Sequence, residues 1–140
     1  MKQRVRKRKN KRTMSSAEVH RAGNAAVIEE LSRLGYATMI MPVIRNGVRR
    51  RVRNYRIFVN GQRVFVHAMH KAHSSFPLVE DRLSDGIHVF VGLFGPQPEY
   101  FILTREQLDE VRYRAGERTN LPLLKAADFR GQWSVLGVPC

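Results

Sequence analysis

The sequence has almost no cysteine and no long apolar run, and both shortages exclude classes of protein. Cys140 is the single cysteine among 140 residues, so the chain can form no internal disulfide, which is typical of a reducing cytosol. The longest apolar runs, residues 37–44 and 89–94, are far shorter than the roughly 18–20 residues of a membrane-spanning helix. No apolar stretch follows the first charges, as a secretory signal would require. We therefore expect a cytoplasmic protein without a membrane partner, which leaves association with a nucleoid or a ribosome open.

Acidic residues are scarce in the first two-fifths of the chain. Residues 1–56 contain 16 lysines and arginines against three acids, a net charge of +13, whereas residues 57–140 contain nine of each sign. A charge confined to one part of a chain creates a directed field that attracts polyanions. This distribution predicts a nucleic-acid-binding protein and favours nucleic acid over an anionic membrane.

The basic residues form two clusters. Residues 1–14 contain eight of them and no acid, which predicts a disordered basic arm. The second cluster, within residues 45–56, is all arginine, which favours bidentate contacts to phosphate or to guanine edges. We therefore expect double-stranded DNA in preference to RNA. The predicted nucleic-acid contacts, including two from the following hairpin, are Lys2, Arg4, Arg6, Lys7, Arg8, Lys9, Lys11, Arg12, Arg45, Arg49, Arg50, Arg51, Arg53, Arg56, Arg63 and His67.

Residues 15–140 are predicted to form a single globular α/β domain that begins with a helix over residues 16–34. Ser15 and Glu18 match a capping box, in which each side chain accepts a hydrogen bond from the other residue's backbone. Gly35 is suited to the left-handed conformation that ends many helices. The apolar spacing predicts an inward face made of Val19, Ala22, Ala26, Leu31 and Leu34.

Extended segments follow this helix. Residues 37–44 are apolar on both faces, which predicts a strand that is buried or covered by the helix. Asn46-Gly47 predicts a tight turn. The clearest hairpin joins residues 55–59 and 63–68 through Asn60-Gly61. Its alternation places Arg56, Phe58, Phe65 and His67 on one face.

The second half of the chain is predicted to begin with a polar loop over residues 70–86. Strands at 88–94 and 100–103 follow it. A second capping box at Thr104 and Gln107 predicts a helix to about residue 115, with Leu108 and Val111 inward. Irregular chain then leads to a closing segment at residues 128–136.

Four features of this layout together resemble a known family. They are the first helix ending in Leu34-Gly35-Tyr36, the hairpin of residues 55–67, the strands that lead into Thr104, and the closing Phe129, Trp133 and Leu136. Across residues 16–137 the layout resembles the restriction-endonuclease-like, or PD-(D/E)XK, superfamily. The resemblance implies a central mixed sheet flanked by helices.

The resemblance also implies a nuclease site whose usual residues are missing here. Family members hold a divalent metal with an aspartate on one strand and a Glu or Gln on the next, and a lysine lies two positions further. These positions fall on Arg56 (Asn54 if the register slips by two), Phe65 and His67. A guanidinium and a phenyl ring cannot bind Mg²⁺, which prefers oxygen ligands. We therefore expect a degenerate member with no catalytic residues and no cofactor.

Two other functions remain open. The first is an RNA- or ribosome-associated structural protein, because basic tails also thread folded RNA. The second is a metal-dependent nuclease with a rearranged site around His67, His70, His73 and Glu80 or Asp81. Three imidazoles could bind Zn²⁺ if the chain curled, but side chains at this spacing do not converge where a strand enters a loop. We therefore predict no metal site. The sequence makes no prediction of the oligomeric state.

Overall fold

The structure is a computed structural model that describes residues 15–42, 44–45, 48–49, 55–70, 75–78, 83–115 and 118–139. At positions 42, 44, 45, 48, 49, 55 and 115 it describes the backbone alone. The predicted basic arm at residues 1–14 lies outside the described residues. No helix in the described ranges combines the length and the apolar character needed to cross a membrane.

A five-stranded mixed sheet occupies the centre of the fold, in the order β1-β4-β5-β7-β8. Strands β1, β4 and β5 are antiparallel neighbours, β5 and β7 are parallel, and β8 is antiparallel to β7. All six residues of β7 are buried, as expected for the interior of a covered sheet. The five strands are Thr38–Pro42 (β1), Tyr55–Val59 (β4), Gln62–Met69 (β5), Ile87–Gly92 (β7) and Glu99–Thr104 (β8).

The remaining elements are short. A two-stranded hairpin pairs β2 with β3 across the predicted turn, and a three-stranded sheet has the order β6-β10-β9. Two 3₁₀ helices, Ala127–Phe129 and Trp133–Leu136, close the fold. The other bounds are Ile44–Arg45 (β2), Val48–Arg49 (β3), Ser75–Leu78 (β6), Tyr113–Ala115 (β9), Arg118–Pro122 (β10), Ser16–Arg33 (α1), Arg105–Val111 (α2) and Leu123–Ala126 (α3).

The predicted start and end of α1 are confirmed. Glu18 N donates to Ser15 Oγ at 3.1 Å, and Ser15 N donates to Glu18 Oε1 at 2.7 Å, which completes the capping box. Gly35, with φ +92°, takes the left-handed conformation after the last turn.

The inward face of α1 differs from the prediction, apart from Leu31. The buried positions are Gly23, Asn24, Val27 and Leu31, whereas the other predicted positions, Val19, Ala22, Ala26 and Leu34, are half-buried. The reason is a close approach of α1 to β5. A Cβ added at Gly23 would lie 2.5 Å from Ala68 Cβ, so only glycine lets this face of the helix contact the strand.

The central sheet separates two apolar cores. On one face α1 and the closing 3₁₀ helix cover the sheet, through residues such as Val27, Leu31 and Trp133. On the other face α2 and the small sheet contribute Leu108 and Leu121. The fold is therefore a mixed α/β arrangement with helices on both faces of a mixed sheet.

Residues 133–138 tie the end of α1 to the β4–β5 turn. Tyr36 Oη donates to Gly137 O at 2.7 Å, and Asn60 Nδ2 donates to Leu136 O at 2.9 Å. We call these contacts the C-terminal clasp. They join segments that are 101 and 76 residues apart in the chain.

Several predictions of secondary structure are wrong. The strand at residues 37–44 is an edge strand, and Met39, Ile40 and Met41 are 43–60% exposed. Their apolar character suggested burial, but α1 packs mainly on β5, away from this edge. The predicted loop over residues 70–86 contains β6, and the predicted irregular chain after residue 115 contains β10. The second helix ends at Val111, because Arg112 takes an extended backbone and β9 follows.

Candidate nucleic-acid interface

The predicted contact residues are only partly covered by the structure. The eight basic residues of the arm, Arg50, Arg51, Arg53 and His73 lie outside the described residues. Arg45 and Arg49 end β2 and β3, which form one small hairpin. The side chains that the structure describes are those of Arg56, Arg63 and His67.

The β4–β5 hairpin brings these three side chains to one face of the sheet. Asn60 and Gly61 both have positive φ, 52° and 78°, as a type I′ turn requires. This turn fixes the register, in which Phe58 pairs with Arg63 and Ile57 with Val64. Because side chains alternate along a strand, Arg56 and Phe58 share their face with Arg63, Phe65 and His67. The predicted grouping of Arg56, Phe58, Phe65 and His67 is confirmed.

A cleft opens where β4 and β5 diverge. Their pairing, counted from the turn, ends at Ile57 and Val64. Beyond this point lies a cleft of about 250 Å³, which we call the β4–β5 cleft. No carboxylate is found among its described lining residues, which are His20, Asn24, Arg56, Ile57, Arg63, Val64, Phe65, Val66, His67, Pro77 and Leu78.

Arg63 is held in place beside this cleft. Its guanidinium lies over the Phe65 ring, 4.5 Å from the ring centroid. Burial, followed by the positive charge of Arg56, lowers the pKa of Arg63, although a guanidinium stays protonated in proteins. Its Nε is buried, and none of the described residues accepts a hydrogen bond from it. Two adjacent cations and an unsatisfied donor are the features of a site that favours an anion.

His67 is paired with a second histidine that the sequence analysis did not single out. His67 Nε2 and His88 Nδ1 are 3.0 Å apart, and His88 Nε2 is 2.9 Å from Ser84 O. A carbonyl only accepts, so His88 Nε2 carries the proton, and His67 Nε2 must then donate to His88 Nδ1. Neutral His67 therefore has an unprotonated Nδ1.

Both imidazoles are kept neutral by their surroundings. Burial, followed by repulsion from His88 and His20, lowers the pKa of His67 to about 3. Burial also lowers the pKa of His88, and the hydrogen bond to Ser84 opposes this shift. The rings also stack, with His67 4.5 Å from Phe90 and His88 4.9 Å from Phe65. The pair is therefore a packed, uncharged part of the sheet.

Of the candidate metal cluster the structure describes His67 and His70, whereas His73, Glu80 and Asp81 lie outside the described residues. No group of three metal-ligating side chains comes together among the residues that the structure describes. His67 contacts His88 instead, and His70 Nε2 is buried without a hydrogen-bond partner there. The sequence offered one weak signal of the His67–His88 pair, namely a polar residue in an otherwise apolar strand.

The three residues on which the resemblance would place the nuclease motif lie around one cleft. Arg56, Phe65 and His67 all line the β4–β5 cleft. This cleft can offer the guanidinium donors of Arg56 and Arg63 and the imidazole rings of His20 and His67. Comparison of the chain with protein-family models, with curated proteins and with solved structures gives no match.

Proposed function

We propose that the protein binds nucleic acid through its first 56 residues without cleaving it, with double-stranded DNA preferred over RNA. The observation that carries this proposal is the segregated charge, +13 in residues 1–56 and zero in the remainder. Cations that neutralise phosphates release counterions, and this release supplies much of the affinity of proteins for DNA.

The ion pairs of the second half support the proposal. Asp109 binds both Arg105, at 3.1 Å, and Arg112, at 3.0 Å, and Glu99 binds Arg130 at 3.2 Å. These arginines are neutralised locally. Neither Arg56 nor Arg63 has an ion pair among the described residues, so both keep their positive charge beside the β4–β5 cleft.

We also propose that the fold is a degenerate restriction-endonuclease-like fold. The mixed sheet with helices on both faces accords with the layout that the resemblance implies. In this interpretation the β4–β5 cleft corresponds to the nuclease site. The Arg56 guanidinium would then supply positive charge where the family uses a metal.

The residues of the cleft support binding without hydrolysis. Mg²⁺ prefers carboxylate and other oxygen ligands, and the described lining contains no carboxylate. His67 is a weak base, because its pKa lies near 3. The described lining therefore lacks carboxylate ligands for Mg²⁺, and His67 is too weak a base to activate a water molecule at neutral pH.

The test is a salt titration of binding, followed by fluorescence anisotropy on a labelled DNA duplex and an RNA hairpin. If about five phosphates are neutralised, affinity for the duplex should fall roughly 10²–10³-fold between about 50 and 200 mM salt. The double variant Arg50→Gln/Arg51→Gln should weaken binding and reduce the salt slope.

A matched control separates this effect from net charge. Arg118→Gln/Lys125→Gln removes the same charge from exposed positions in the neutral half. It should leave the affinity nearly unchanged. A flat salt response, or equal losses in the two double variants, would contradict the proposal. Tighter binding to the RNA hairpin, or co-purification with ribosomes, would replace DNA with RNA as the partner.

A further inference from the structure

The β4–β5 cleft combines excess positive charge with a restricted volume. Arg56 and Arg63 are close enough for one charge to lower the pKa of the other guanidinium. Like charges that approach each other without a carboxylate repel, and an anion between them relieves the repulsion. A guanidinium presents five N–H donors, and the buried Nε of Arg63 is one of them.

The walls of the cleft limit what can enter it. Its lining comes from four elements: α1 contributes His20 and Asn24, β6 contributes Pro77 and Leu78, and β4 and β5 contribute the remainder. A volume of about 250 Å³ accommodates a phosphate with part of one nucleotide, but not a duplex. The volume holds less than one whole nucleotide, so a strand end fits it better than the interior of a strand.

The aromatic residue of the cleft is already engaged. Phe65 stacks with the Arg63 guanidinium at 4.5 Å and with His88 at 4.9 Å. An aromatic ring beside an arginine can also stack on a base. With these two partners Phe65 instead positions Arg63, so the cleft favours a phosphate over a base.

We propose that the β4–β5 cleft binds the terminal phosphate monoester of a nucleic-acid strand, between the guanidiniums of Arg56 and Arg63. A monoester carries more negative charge than an internal phosphodiester and has three acceptor oxygens, which suits two guanidiniums. This inference rests on the proposed function, since it assigns one part of the bound nucleic acid to one site. The basic arm and the second basic cluster, within residues 45–56, would bind the internal phosphates.

The experiment compares oligonucleotides that differ only at their ends. Competition anisotropy is measured with one duplex that carries a 5′-phosphate, a 3′-phosphate or hydroxyl groups alone. The wild-type protein should bind one phosphorylated form at least about tenfold more tightly than the hydroxyl form, as expected for charge-assisted hydrogen bonds. Arg63→Gln should abolish this ratio, so that the phosphorylated and hydroxyl duplexes bind the variant with equal affinity. Comparison of the 5′-phosphate duplex with the 3′-phosphate duplex shows which strand end is recognised.

Two further variants guard against a folding artefact. Arg63→Lys keeps the charge but loses the planar fork, so it should reduce the ratio while the thermal unfolding curve stays intact. Arg118→Gln lies outside the cleft and should keep the full ratio.

The two proposals fail in different ways. Equal binding of phosphorylated and hydroxyl duplexes, or an unchanged ratio in Arg63→Gln, would overturn the cleft assignment and leave nucleic-acid binding intact. If no duplex binds at all, the proposed function fails, and the cleft is tested with a nucleoside 5′-monophosphate by ³¹P line broadening. Broadening that Arg63→Gln abolishes would support the cleft, and its absence would overturn it.

Discussion

Replacement of His67 by glutamine should make the protein less sensitive to acid. In the native state the pKa of His67 is about 3, whereas its ordinary value is 6.5. Between these two values the unfolded chain binds a proton that the native protein does not bind. The stability contributed by neutral His67 is therefore present above about pH 6.5 and is lost progressively as the pH falls toward 3.

The size of the effect follows from these two pKa values. From pH 7 to pH 5, protonation of an unfolded-state imidazole with pKa 6.5 costs about 2 kcal/mol, while the native state stays unprotonated. The lowered pKa of His88 adds a loss in the same direction. Glutamine in place of His67 can still donate a hydrogen bond to His88 Nδ1 but does not titrate.

The assay is urea unfolding of wild type and His67→Gln at pH 7, 6 and 5. The wild type should lose about 2 kcal/mol more than the variant over this range. His20→Gln removes an exposed imidazole of α1 and should keep most of the wild-type slope. Parallel pH profiles for wild type and His67→Gln would refute the assignment of His67 as a half-buried group that stays neutral in the native state.

Three more predictions concern packing, binding and chemistry. Gly23→Val should destabilise the fold by about 1–3 kcal/mol in urea unfolding, because a Cβ there meets Ala68, whereas Ala25→Val on the exposed side of α1 should cost roughly 0.5 kcal/mol. Equal costs would show that α1 does not approach β5 so closely. Deletion of residues 2–12 should flatten the salt dependence of DNA binding and leave the melting temperature nearly unchanged; a large drop would show that the arm is structural. Plasmid DNA should stay intact in Mg²⁺ or Mn²⁺, and cleavage that both a chelator and His67→Ala abolish would favour the rearranged nuclease.

Local signals predicted the parts of the fold that local contacts determine. The capping boxes at Ser15 and Thr104 and the turn at Asn60-Gly61 each depend on residues within about four positions of one another, and all three are present. Strands β6 and β10 were not predicted, because they pair with each other and are separated by some 40 residues in the chain. Phe76 is buried against Phe90 and Phe101 of the central sheet, and nothing in its own segment indicates these partners.

In the candidate site, too, local features could be predicted from the sequence and features that depend on distant segments could not. Alternation along the hairpin was sufficient to place Arg56, Phe65 and His67 on one face. The walls that α1 and β6 contribute to the cleft depend on packing between distant segments, which the sequence does not display. The hydrogen bond between His67 and His88 depends on the parallel register of β5 and β7, in which His67 lies beside Phe90.

The C-terminal clasp has a consequence for the order of folding. The partners of Asn60 and Tyr36 are Leu136 and Gly137, which are synthesised near the end of the chain. The β4–β5 turn therefore lacks its hydrogen bond to Leu136 while the ribosome makes the preceding residues. Closure of loops this long costs entropy before the contacts form, which slows folding. The first 56 residues, through which we propose that the protein binds nucleic acid, are therefore synthesised well before the C-terminal clasp holds the β4–β5 turn.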